Sequence, residues 1–163
     1  MNEEQKIKLA EALSGNTLQK TTSVKDNIAD VVRILREYND DMKNFQKYAE
    51  SRNYGTPNID RWYHTTAMYD ATKGNLLRGT AALGAGILKE VGDLGKYALK
   101  GYTPRAALWE GIKDIYRDGL GVGSSLFNPD IPADENILLK NLQTPTIRAI
   151  MPEYRSKYGK KDF

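Results

Sequence analysis

The longest regular pattern in this 163-residue chain runs over 28–49 and constrains the fold more than any other feature. Ile28, Val31, Val32, Leu35, Tyr38, Met42, Phe45, Tyr48 and Ala49 recur at steps of three and four residues, the spacing that lines one face of an α-helix. The pattern predicts a helix over about 24–52, roughly 40 Å long at 1.5 Å per residue. Its apolar stripe is narrow and its other face densely charged, so it packs on one side only. A bundle helix and an arm pairing with another subunit both fit that spacing. Thr22-Ser23-Val24-Lys25-Asp26 supplies the start, with Ser23 as N-cap and Asp26 three residues on in place of the usual Glu. No stretch shows sustained period-two alternation, so no strand is predicted.

The rest of the chain reads as helices separated by turn signals. A short helical pattern over 3–13 ends at Ser14-Gly15-Asn16. Asn53-Tyr54-Gly55-Thr56-Pro57-Asn58 forms a turn cluster, and a second helix follows over about 60–73 with Gly74-Asn75 as its stop. A third helix over 76–100 is rich in small residues, among them Gly79, Ala81, Ala82, Gly84, Ala85, Gly86, Gly92 and Gly95. Small residues let helix backbones approach closely, yet each glycine costs up to ~1 kcal/mol relative to alanine. Such a helix must be held by its neighbours. Its apolar run between Arg78 and Lys89 is ten residues, short of the ~20 that span a bilayer.

Thr103 as N-cap and Pro104 at N1 open a fourth helix over about 104–118, which carries Ala107, Leu108, Ile112, Ile115 and Tyr116 toward the core. It is predicted to end at Asp118-Gly119, with 121–125 a glycine-rich loop. Beyond it Pro129, Pro132, Pro145 and Pro152 punctuate the chain. There 133–142 is the best helical candidate, and the remainder is an extended tail lying on its own bundle or on a neighbour. The predicted architecture is all-α: an up-and-down helical bundle of about four main helices over 23–120. A short helix and linker over 1–22 precede it, and a proline-marked, extended basic tail over 121–163 follows.

The residue types exclude some chemistry. There is no cysteine, so disulfides and thiolate catalysis are absent. With one histidine, a zinc site would need carboxylates for nearly every ligand, so no metal and no cofactor are predicted. Met1-Asn2-Glu3-Glu4-Gln5-Lys6 is acidic and polar, and no signal peptide is visible there. A cytoplasmic or virion-associated protein is the expectation. The whole net charge of +3 sits in 148–163, where Arg148, Arg155, Lys157, Lys160 and Lys161 outnumber Glu153 and Asp162. Such an end can touch phosphates or an acidic protein. With no aromatic platform among so few charges, a solvated tail is the simpler reading than nucleic-acid contact.

Chemistry-bearing residues concentrate in Asp60-Arg61-Trp62-Tyr63-His64 and Met68-Tyr69-Asp70-Ala71-Thr72-Lys73-Gly74. Asp60 and His64, four residues apart on one helical face, are the candidates for a carboxylate-oriented general base. No nucleophile elbow accompanies them, because Ser124 and Ser125 lack a strand-to-helix context. The competing assignment makes Asp60 a cap at the positive helix end and bonds His64 across the bundle to Asp114 or Asp118. Trp62, Tyr63, Tyr69, Tyr97 and Trp109 are read as core and interface anchors and not as a ligand cage. Arg155, Lys157, Lys160 and Lys161 are the candidate basic contacts of the tail.

This block resembles the serum amyloid A family. Asp60, Arg61, Trp62, Tyr63 and His64 match that family's Asp, basic, aromatic, aromatic, His order, and Tyr69, Asp70 and Ala71, followed by Gly74, match its next segment. Met68 replaces the family's Asn. The small-residue run over 81–90, Ile112-Lys113-Asp114-Ile115-Tyr116-Arg117-Asp118-Gly119 and Phe127-Asn128-Pro129 resemble its later helices and Pro-bearing tail. The likeness covers about 59–132, and bacterial and phage proteins carry similar motifs. It implies a four-helix bundle with a wrapped tail, oligomerisation, and affinity for lipid or small apolar ligands.

Together these readings predict a non-enzymatic structural or interaction subunit of a larger assembly, such as a virion, meeting copies of itself or other neighbours through helices and tail. The alternative is a lipid- or apolar-ligand-binding protein of serum amyloid A type. A hydrolase using Asp60 and His64 is third.

Overall fold

The computed structural model describes residues 24–99, 101 and 103–159. The helix expected over 3–13, the Ser23 cap, Lys160, Lys161 and the side chains of Tyr97 and Ala107 lie outside the described residues. The protein is an all-α helical bundle with six helices among the described residues: α1 Val24–Ser51, α2 Ile59–Thr72, α3 Leu76–Leu99, α4 Pro104–Phe127, α5 Ile137–Leu142 and α6 Pro145–Tyr158. No described helix is long and apolar enough to cross a membrane.

The centre of the bundle is the short α2. Ten of its fourteen residues are buried, on all sides and not along one stripe, as befits a helix enclosed by others. α1, α3 and α4 all pack against it. α1 buries Asn27, Val31, Ile34, Tyr38, Phe45 and Tyr48, alternating steps of four and three residues apart from one skipped turn at Asp41. The seam is rotated slightly from the predicted stripe. Ile34 is fully buried and Ile28 half exposed. Turns between helices rest on left-handed residues: Asn53 and Asn58 before α2, Lys73 and Gly74 after it. Asparagine and glycine tolerate that conformation best.

α3 and α4 run antiparallel, since Gly79 meets Val122, Gly86 meets Asp118 and Gly111 faces Glu90. The glycines divide into two kinds. A Cβ at Gly121 would lie 2.3 Å from the Thr65 carbonyl oxygen, and one at Gly79 would lie 2.9 Å from a Val122 methyl. Gly84, Gly92, Gly119 and Gly123 have nothing within 4 Å. Close approach therefore explains some of the small residues and not others.

Several expectations are corrected. First, α4 does not stop at 118, and 121–125 is helix, not loop. Gly121 is what lets α4 lie against α2, and the contact holds that glycine-bearing turn helical. Second, Leu108, Ile112, Ile115 and Tyr116 face away from the core, all at least a third exposed. The buried face of α4 is instead Gly111, Asp118, Gly121, Val122 and Ser125. Third, 145–158 is not extended. Thr144 caps α6 by accepting from the Ile147 N–H at 3.2 Å, and Pro145 stands in the first turn, where its missing N–H costs nothing. α6 buries Ile147, Ile150, Met151 and Tyr154 and packs on α1. The predicted 133–142 helix is reduced to α5, opened by Asn136, whose side chain accepts from the Leu138 and Leu139 N–H groups. Between α4 and α5, residues 128–136 are non-helical.

Candidate functional site

The Asp60–Gly74 block is a structural hub. Ile59 begins α2, so Asp60 sits in the first turn and not at the cap. Asn58 holds the cap position in a left-handed conformation without a side-chain bond. The Asp60 carboxylate still lies near the positive helix end. Among the described residues, no hydrogen bond joins Asp60 to His64, and none joins His64 to Asp114 or Asp118. Trp62 and Tyr63 are buried, their rings stacked edge to face with centroids 5.0 Å apart. The Tyr63 hydroxyl donates to Asp41 at 3.0 Å, and Tyr154 of α6 donates to the other Asp41 oxygen at 2.9 Å. One α1 carboxylate thus ties α2 and α6 to α1.

Other motif residues also join elements. Asp70 accepts from the Tyr38 hydroxyl. The Ala71 carbonyl accepts from Arg78 Nε at 2.8 Å, while another Arg78 nitrogen reaches Asp30 at 2.5 Å. The Tyr69 hydroxyl is shared between the Asn128 and Ile131 carbonyls at 2.7 and 2.6 Å, fastening the segment after α4. Gly74, at φ 67°, donates its N–H to Ser125 Oγ at 3.1 Å. A Cβ there would stand 2.4 Å from that of Pro129. Burial, and then the facing carboxylates, push the Tyr38 and Tyr63 phenols well above their ordinary pKa, so both remain donors.

Of the four candidate tail cations, the two among the described residues lie against aromatic rings. The Arg155 guanidinium lies 6.0 Å from the Trp62 ring centre, and the Lys157 ammonium lies 5.2 Å from that of Tyr158, within reach of cation–π attraction. Arg52, in the turn just after α1, pairs with Glu153. Trp109 is 60% exposed and anchors nothing within the chain's own core.

The second notable place is a half-open pocket of about 100 Å³ between α1, α2, α3 and α4. Leu35, Met42, Ala67, Met68 and Ala85 give it apolar walls, and Tyr38, Asn39, Tyr63, His64, Lys89 and Asp118 bring polar groups to it. Asp118 is 3% exposed, and its Oδ1 has no hydrogen-bond partner. Burial first, then the charges of Glu90 and Asp114, push its carboxyl up to about 7 against the pull of Lys89 and Arg117. His64 moves the other way: burial and the Lys89 charge lower its pKa, with Asp114, Asp60 and Glu90 opposing. The imidazole is thereby kept neutral at pH 7. Lys89 bonds Glu90 at 2.5 Å and Asp93 at 3.2 Å. Burial opposes its charge, but those carboxylates outweigh burial and hold the ammonium above its ordinary value.

Of this group the sequence pointed to His64, to Tyr63 as a packing anchor, and to Asp118 only as a bond partner considered for His64. Lys89 and Glu90 look like ordinary members of a charged helix end, and Asp118 looks like a helix stop. The usable signal was Asp118 lying on the Gly111–Gly121 side of α4. Among the described residues, no three His, Asp or Glu side chains converge in a way that could hold a metal ion. No protein-family model matches the chain, and no curated protein or solved structure matches it.

Proposed function

We propose that this protein is a structural subunit that assembles with copies of itself through the outer face of the α3–α4 hairpin. The observation that carries this reading is the reversed pattern of α4. Its small and polar residues face the bundle, while Leu108, Trp109, Ile112, Ile115 and Tyr116 face outward. On the neighbouring turns of α3, Ile87, Leu88 and Val91 are exposed as well, Leu88 by 75%. Exposed apolar surface gathered in this way marks an interaction site. These eight side chains present on the order of 900 Å², against about 800 Å² per partner in a standard protein interface. Like surfaces on two copies complement each other without any second component, which favours a homo-oligomer.

Lipid is the competing occupant of that face. Lys89 and Lys113, which stand among these positions, are engaged by Glu90, Asp93 and Glu110, whereas an interfacial helix keeps its cations for anionic headgroups. The resemblance over 59–132 supports the oligomeric part of the proposal. Light scattering coupled to size exclusion tests it, on the full chain and on the Trp109→Glu/Ile112→Glu double variant. The wild-type chain is expected to elute as an oligomer and the variant as a monomer of unchanged helicity. A wild-type monomer that moves into the fraction of phosphatidylglycerol vesicles would overturn the assignment in favour of a lipid surface.

A further inference from the structure

The groove between α1 and α6 draws on neither α3 nor α4 and carries a chemistry of its own. It is half-open, about 540 Å³ in volume, and lined along α1 by Asp41, Asn44, Lys47 and Tyr48 and along α6 by Tyr154 and Tyr158. Its floor is aromatic. Tyr48 and Tyr154 are buried with ring centres 5.4 Å apart. Tyr158, 57% exposed, stands 5.1 Å from Tyr154 and 5.8 Å from Tyr48. One ring comes from α1 and two from α6, so the platform exists only because α6 packs on α1.

Its rim is made of donors that solvent reaches. Asn44, Lys47 and Lys157 are all exposed. The Lys157 ammonium lies 5.2 Å from the Tyr158 ring centre and 5.8 Å from that of Tyr48, where the aromatic faces attract it to the edge of the groove. Among the described residues, no carboxylate pairs with Lys47 or Lys157 and no hydrogen bond engages the Asn44 amide. Asp41 is the one carboxylate among the described lining residues, and its two oxygens already accept from Tyr63 and Tyr154. Accessible ammonium and amide donors beside an exposed ring suit an anion attached to a planar group. Two ammoniums match a phosphate monoester, which carries nearly two negative charges at pH 7, better than a carboxylate, which carries one. A nucleobase adds stacking on the aromatic platform, and the groove has the volume of an ordinary small-molecule site.

We propose that the α1–α6 groove binds a free nucleoside monophosphate, with its base against Tyr158 and its phosphate between Lys47 and Lys157. Asn44, one turn before Lys47 on the same side of α1, donates its amide to a phosphate oxygen. The phosphate keeps to this rim, away from the Asp41 carboxylate on the floor. The base selects little, because every base has a face to stack. The phosphate and the ring together make the ligand, so either half alone binds poorly.

The test is an NMR titration of the full chain with adenosine monophosphate at low salt, with adenosine and inorganic phosphate as the two half-ligands. Saturable binding is expected for the monophosphate, about tenfold tighter than for either half. The Lys47→Gln/Lys157→Gln double variant should weaken the monophosphate about tenfold and leave adenosine unchanged. Tyr158→Leu should weaken the monophosphate about tenfold and leave inorganic phosphate unchanged. The three side chains are exposed, and circular dichroism checks that each variant keeps its helicity. No saturable shift up to about 10 mM, equal binding of adenosine, or full affinity in both variants would overturn the proposal. A 5′-phosphorylated tetra-adenylate binding more than about tenfold tighter than the monophosphate would overturn the free nucleotide as the occupant.

Discussion

Replacing Asp118 by asparagine removes one ionisable group from the middle of the bundle and keeps the shape of the side chain. The native carboxyl is raised from 3.8 to about 7 by burial and by Glu90 and Asp114. In the unfolded chain it returns to the ordinary value. Between pH 4 and pH 7 the folded protein therefore holds a proton that the unfolded chain has lost, and stability falls as pH rises through that window. At 1.36 kcal/mol per unit, the loss is about 1.5 kcal/mol at pH 5 and about 4 kcal/mol at pH 8, all of it attributable to this one group. Asparagine escapes the penalty. His64, whose folded value is lowered, contributes stability that grows as pH rises through its own titration, but it is present in both proteins and cancels in the difference. Urea unfolding followed by circular dichroism at pH 5 and pH 8 measures that difference. Asp118→Asn should be stabilising, and more so at pH 8 by about 2.5 kcal/mol. A variant that is destabilised at pH 8, or a difference that does not change with pH, would refute the account of an unpartnered buried carboxylate.

Other outcomes follow from the contacts of single residues. Gly121→Ala should cost about 3 kcal/mol, because its Cβ would meet backbone of α2 that cannot retreat. Gly123→Ala, facing open space on the same helix, should instead stabilise by up to ~1 kcal/mol, and thermal unfolding separates the two. Asp41→Ala leaves the Tyr63 and Tyr154 hydroxyls without their charged acceptor and should lower stability by about 3 kcal/mol in urea titration. Tyr69→Phe should cost about 1 kcal/mol and speed limited proteolysis within 128–136, since the hydroxyl alone fastens two carbonyls of that segment.

The parts of the fold legible in the sequence were those that follow the usual rule of apolar residues inward. α1 could be read from its stripe, α2 and α3 from their bounding turns, and the start of α4 from Thr103-Pro104. α4 itself defeats the rule. Its core face is made of Gly111, Asp118, Gly121, Val122 and Ser125, chosen for close approach, so periodicity pointed to the wrong side and the glycines read as a loop. α6 was hidden by Pro152. The proline sits inside the helix on an exposed position, and the stronger local signal, Thr144 followed by Pro145, is the same start that marked α4. In the candidate site, the Asp60–Gly74 block was visible as unusual chemistry, but its tyrosines and carboxylates bind helices to one another. The pocket was not visible, because burial of Asp118 depends on how α3 and α4 meet across Gly86.

The central claim is that a second copy covers the outward face of α4, and Trp109 reports on it directly. Trp62 is the only other tryptophan and is buried, so Trp62→Phe, excited at the red edge where tyrosine does not absorb, leaves Trp109 as the sole emitter. Its fluorescence and acrylamide quenching should be followed over a dilution series alongside molar mass. The account predicts blue-shifted, quencher-protected emission at high concentration that turns red and accessible as the mass falls to that of one chain. Red, freely quenched emission at every concentration would contradict it.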